Sequence, residues 1–431
     1  GNISLHSNLS DVGGNATYIA APLNAGTGAV NISGQRVDVV GTAALIEGQT
    51  ININTTAANG NISIEGVTLN SVNGLWIAAT GAESDVTVSD STLTVSGAGD
   101  LQLIAEQGSV DATSVMASAS SGDILISGGA TSAAQYGSGV YLSGGSFIAS
   151  GAVTIDGSTI QSYANGVEIS DDITLSSSAG TSILGLSLAP SDAGNGVRIS
   201  IGDGFVGLTG SGALIAIGQT NGNYSGVSVY DTINRTGGDI VLQGSAVGSG
   251  GNAVDISYSD IYSNGSDVII EGTGGNGASV SIGGSFIDSG GGNVDVTGGH
   301  AGEANYGVSL IDSSTIHAGA GNLTVSGTSQ AKGVFIESFS GGMTYSGANV
   351  AITGTTSAGS GYPAVYIDNE TLSATNSLNI TANNGDLVVY GGTISTSGSG
   401  GLTLRATGGS PLPARIDIDS SSFVGNVGGG T

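Results

Sequence analysis

The sequence predicts an all-β chain folded as a right-handed parallel β-helix of roughly 16 three-stranded coils. Three observations predict it. Val140, Val167, Val197, Val227, Val254, Val280, Val308, Val334 and Val365 stand 26 to 31 residues apart. A second series, Leu214, Ile240, Val268, Val294, Leu323, Val350, Leu378 and Leu402, stands 24 to 29 residues apart. Two anchors that keep one period mark a structural repeat, because chance spacing would let them drift apart. The third observation is composition. Of 431 residues 79 are Gly and 9% are charged, with one Lys and five Arg, so good helix formers are scarce. Disorder is excluded by a positive mean hydropathy and by Val, Ile and Leu recurring in pairs.

Residues 307–327, GVSLIDSSTIHAGAGNLTVSG, show one coil most plainly. Val308 and Leu310 flank Ser309, so both point to one side of a strand. Ile316 marks a second strand and Leu323 with Val325 a third, with Gly, Ser and Asp at the bends. One such coil cannot enclose a core, so the fold must come from stacking. Length variation falls between the third pulse and the next first pulse, in 273–278, 298–306 and 355–362, which are expected as solvent loops at one corner. Residues 1–130 follow a looser rhythm, with pulses at 37–40, 51–53, 62–64, 86–88, 101–104 and 124–126. That divides the chain into 1–130, with shorter or irregular coils, and 131–431, with coils of about 27 residues. At the ~4.8 Å spacing of neighbouring strands the stack is expected to be about 75 Å long. Asn31, Asn61, Asn322 and Asn379 open strands and are expected in amide ladders.

Thirty-three acidic against six basic residues give a net charge of -27, which argues against nucleic acid and anionic membrane surfaces. No Cys is present, so neither disulfides nor thiolate metal sites contribute. No signal peptide opens the chain and no apolar run is long enough for a membrane helix. Beginning at Gly1, the chain reads as a piece of something longer. No cofactor or metal centre is expected. Asp171 with Asp172, and Asp417 with Asp419, are the nearest candidates for calcium, and neither matches an EF-hand loop.

No catalytic residues are assigned and the chain is read as a non-enzyme. His6, His300 and His317 lie far apart in repeat phase, as do Lys332, Arg198 and Arg235. Asp255 and Asp260 share a coil, as many acid pairs do. Tyrosines carry more. Tyr136, Tyr163, Tyr224, Tyr306 and Tyr362 each stand two to four residues before a first pulse, at the end of the variable loop. They are the candidate ligand contacts, with rings to stack on sugar faces and nearby Asn and Asp to accept hydroxyl hydrogen bonds. The alternative is a plain covering of the coil edge.

The strand motif G-[DN]-[VIL]-x-[VIL]-x-G recurs in GNISIEG at 60–66, GDIVLQG at 238–244, GNVDVTG at 292–298 and GNLTVSG at 321–327. With the repeat, the acidity and the missing Cys, the chain resembles exoproteins of bacterial two-partner secretion, of the filamentous-haemagglutinin type. The NPNL and NPNGI motifs of that family's secretion domain are absent, so the resemblance is to the shaft or adhesive region. It implies a secreted or cell-surface protein exported through an outer-membrane β-barrel transporter. It further implies an extracellular rod-like adhesin segment, working in cell, matrix or host attachment and in biofilm, whose partner is a polysaccharide, a cell-surface glycan or a receptor. A passive spacer of a contact-dependent inhibition or autotransporter protein is the alternative, with a polysaccharide-degrading enzyme behind it.

Overall fold

The structure is a computed structural model that describes every residue except 8–15, 43, 132–136, 191, 201–205, 249, 301–304, 339–341, 358–360, 409–412, 420–421 and 427–431. It forms two compact units, Gly1–Asn221 and Gly222–Thr431. Each is a parallel β-solenoid, and no helix occurs among the described residues.

Apolar alternation decides the stacking. In the first unit Val37, Ile62, Val86, Val110, Val140, Val167 and Val197 are successive Cα partners in parallel strands. Val30, Ile51, Leu75, Leu101, Ile124 and Val153 form a second such series. In the second unit the first face stacks Val227, Val254, Val280, Val308, Val334, Val365 and Leu387. The third face stacks Ile240, Val268, Val294, Leu323, Val350, Leu378 and Leu402. Apart from Leu402 near the end of the second unit, these inward residues are almost wholly removed from water. A shift of one residue would turn each ladder outward, so burial fixes the register.

Between the first and third faces lies a short second face, exemplified by Phe286–Asp288 and Thr315–His317. Three separate strands per turn are expected from the sequence, but some corners do not interrupt pairing. Val110–Ala119, Val140–Ala149 and Val167–Ser177 run through the first and second faces as single strands. Thr344–Thr356 and Thr371–Asn383 run through the second and third. The first corner bends at a left-handed residue, such as Gly66 at φ 66°, Asp90 at 49°, Asp312 at 55° and Asn369 at 58°. Gly, Asp and Asn tolerate that region best. A bend of one residue turns the chain while keeping it within reach of the next rung.

Side chains satisfy the corners. Ser259, Ser285 and Ser314 are buried directly after the first bend. The Ser285 hydroxyl donates to the Gly283 carbonyl at 2.8 Å and accepts the Ser259 amide at 3.1 Å. Before the third face an amide ladder runs up the outside. Asn293 Nδ2 donates to Asp267 Oδ1 at 3.2 Å, Asn322 Nδ2 to Asn293 Oδ1 at 3.1 Å, Asn349 Nδ2 to Asn322 Oδ1 at 2.8 Å and Asn376 Nδ2 to Asn349 Oδ1 at 2.8 Å. Asn31 receives Asn52 Nδ2 at 2.8 Å, and Asn61 receives the Asp85 amide at 3.0 Å. Asn379 has Ala351 and Thr403 as register partners, so its column supplies no amide.

Candidate functional site

On the first face of the second unit, the residue between two inward anchors points out: Ser309 in the strand Tyr306–Ile311, Phe335 in Lys332–Glu337, Tyr366 in Val365–Asp368. These three are Cα partners on consecutive rungs. A rung spacing of about 4.8 Å leaves aromatic neighbours in one column little choice but to stack. Phe335 and Tyr366 stack with centroids 5.3 Å apart and planes 20° apart. Tyr306 lies on the other side of Phe335, at 4.7 Å and 24°. Tyr390, ending the strand Leu387–Tyr390, meets Tyr366 edge-on at 5.9 Å and 69°.

The chain's one lysine joins this strip. Lys332 is the Cα partner of Tyr306, and its Nζ sits 4.0 Å from the Phe335 centroid, 4.9 Å from Tyr366 and 5.4 Å from Tyr306. The ammonium is attracted by the negative ring faces. Burial lowers its pKa, and the charge of Glu337 pulls it part of the way back. Burial raises the Tyr306 hydroxyl, with Glu337 adding to it. Tyr366 is pushed up to about 12, by burial first and then by Asp368, whose Oδ2 accepts its hydroxyl at 3.2 Å. Glu337, Asp368 and Tyr390 are register partners on three consecutive rungs. The strip therefore offers stacked ring edges, tyrosine hydroxyls and a row of oxygens. Its inner rings spend their faces on one another.

The sequence-selected tyrosines fall in different places. Tyr306 is part of the strip. Tyr362, 54% exposed, precedes the strand that carries Tyr366, and Tyr224 is 44% exposed ahead of Val227. Tyr163, in the first unit, is 66% exposed with φ 62°. Tyr136 lies outside the described residues. Phe335, Tyr366, Tyr390, Glu337 and Asp368 are additions that loop position could not supply. Reading the middle residue of each V-x-[IL] pulse down the repeat would have found Phe335 next to Tyr366.

Other chemistry is dispersed. In the first unit Asp111, Tyr141 and Glu168 are outward partners on successive rungs and line a shallow groove of about 200 Å³ with Ser109 and Ser138. Glu168 pairs with Arg198 at 3.3 Å and accepts Asn165 Nδ2 at 2.9 Å. Burial raises the Asp111 carboxyl, a hydrogen bond from Thr113 opposes it and the charge of Asp85 adds to it. Asp255 faces out from the first face and receives the Tyr230 hydroxyl at 2.9 Å, while Asp260 is on the second face as partner of Phe286. Asp171 and Asp172 form a left-handed corner at φ 50° and 36°. Among the described residues no three His, Asp or Glu side chains converge as metal ligands.

No protein-family model, curated protein or solved structure matches the chain.

Proposed function

We propose that this chain is a solenoid segment of an extracellular bacterial adhesin, and that the strip Tyr306–Phe335–Tyr366–Tyr390 contacts neutral glycans. One observation carries the reading: tyrosine hydroxyls and the carboxylates of Glu337 and Asp368 stand together in register on one outward face. Sugar hydroxyls both donate and accept, so they match such a row, and the exposed Tyr390 ring adds an apolar contact. Paired carboxylates and a net charge of -27 favour uncharged saccharides over uronates or sulfated chains. The composition and strand motif support export to the cell surface.

The stacking of the inner rings favours a second reading. Rings that cover one another seal the sheet, and a chain whose outward rings do only that is a spacer. A neutral-glycan array separates the two. Wild-type chain is expected to bind, and Tyr366→Ala with Tyr390→Ala is expected to weaken binding at least tenfold (about 1.4 kcal/mol), leaving the parallel-sheet circular dichroism intact. No binding by wild type would leave the spacer.

A further inference from the structure

The strip meets the core at Glu370. It follows Asp368 by two positions and takes the interior column that Ser285 and Ser314 hold on earlier rungs. There it is 1% exposed. On the preceding rung Tyr345 stands nine positions after Ile336, against five from Ile367 to Leu372, so that corner is longer in sequence. Glu370 reaches both of its feet. Its Oε2 accepts the Met343 amide at 2.6 Å, and the Ser338 backbone amide also hydrogen-bonds the carboxylate. Among the described residues Oε1 is buried with no hydrogen-bond partner. Behind it Tyr345, wholly buried, donates its hydroxyl to Met343 Sδ at 3.2 Å.

We propose that the protonation state of Glu370 positions the strip. Ser338 is the residue after Glu337, and Asp368 leads into Glu370, so the two carboxylates offered to a ligand are tied to the two ends of this clamp. A neutral carboxyl is at ease in the interior. An ionised one, with an orphaned oxygen and the Asp368 charge beside it, gains by turning to water, which frees the Met343 amide and shifts Glu337 against Asp368. The groups facing it are Asp368 on its own rung and Tyr345 on the rung before, with Glu337 and Tyr390 ending the strands on either side. Burial, opposed by the amide bonds and reinforced by Asp368, raises its pKa to about 7. This inference rests on the strip being the glycan-contacting surface.

The test follows tyrosine near-UV circular dichroism and neutral-glycan array binding from about pH 5.5 to about pH 8.5 in wild type and Glu370→Gln, with the infrared band of the protonated carboxyl recorded on wild type. The expected result is one transition in ring signal and carboxyl band, with glycan binding several-fold stronger on the acid side. Glu370→Gln, which keeps an acceptor for Met343, should hold the acid-side signal and binding throughout. A transition unchanged in Glu370→Gln, or a wild-type carboxyl band that does not titrate across this range, overturns the proposal. A ring transition in wild type alone, with no glycan bound at either end, upholds the Glu370 device and overturns the glycan reading.

Discussion

Glycine at residue scale meets two separate demands. Gly66 turns a corner at φ 66°, where Cβ would be strained. In the third-face copies of the strand motif, 238–244, 292–298 and 321–327, the closing glycine has an ordinary φ and serves close approach instead: a Cβ on Gly327 would stand 1.9 Å from the Gly333 carbonyl oxygen, and one on Gly298 2.0 Å from that of Gly307. Positive φ, the natural explanation from sequence, does not account for these. Gly327→Ala is therefore expected to cost at least roughly 1–3 kcal/mol in urea unfolding. Glu370 makes the stability of its unit depend on pH. Its folded-state pKa of about 7 lies above that of an unfolded Glu, so its contribution is fully present below the unfolded value and is lost as pH rises through about 7. Between about pH 4 and about pH 8 wild type should lose roughly 3 kcal/mol more than Glu370→Gln, measured by urea unfolding at each pH. Equal losses in the two chains would show that the carboxyl titrates as it does in water.

At the scale of the element, strand identity follows from alternation alone. In Thr344–Thr356 the inward Ile352 is 1% exposed while Thr353 faces out. Ile352→Ala should cost about 2–5 kcal/mol and Thr353→Ala less than about 0.5 kcal/mol, again by urea unfolding. A reversed order would mean the strand is turned over. Within each unit the pulses chosen from sequence are the register partners observed, because Val, Ile and Leu on one side of a strand have a single way to leave water. Corners were less legible. Whether a bend stops a strand depends on backbone hydrogen bonds to the next rung, which residue type does not encode, and Tyr258 holds a left-handed corner at φ 51° that its β-favouring side chain gives no hint of.

At the scale of the whole molecule, each rung is stabilised by its neighbours, so side chains far apart in sequence meet only through the stack. Two anchors in fixed phase were enough to reveal the solenoid. The strip was half legible: Tyr306 stood out by its place in the repeat, whereas Phe335, Tyr366 and Tyr390 are ordinary strand residues until the register sets them side by side. That register underlies the strip, the Glu370 clamp and the proposed glycan contact together. The chain has no native Cys, so cross-linking reads it without background. Glu337 and Asp368 are Cα partners on adjacent rungs, within the ~4.4–6.8 Å that a disulfide spans. Glu337→Cys with Asp368→Cys should close a disulfide rapidly in mild oxidant, while Glu337→Cys with Tyr366→Cys, out of register by two, should not. Preferential closure of the second pair, or of neither, would contradict the stacking on which the account stands.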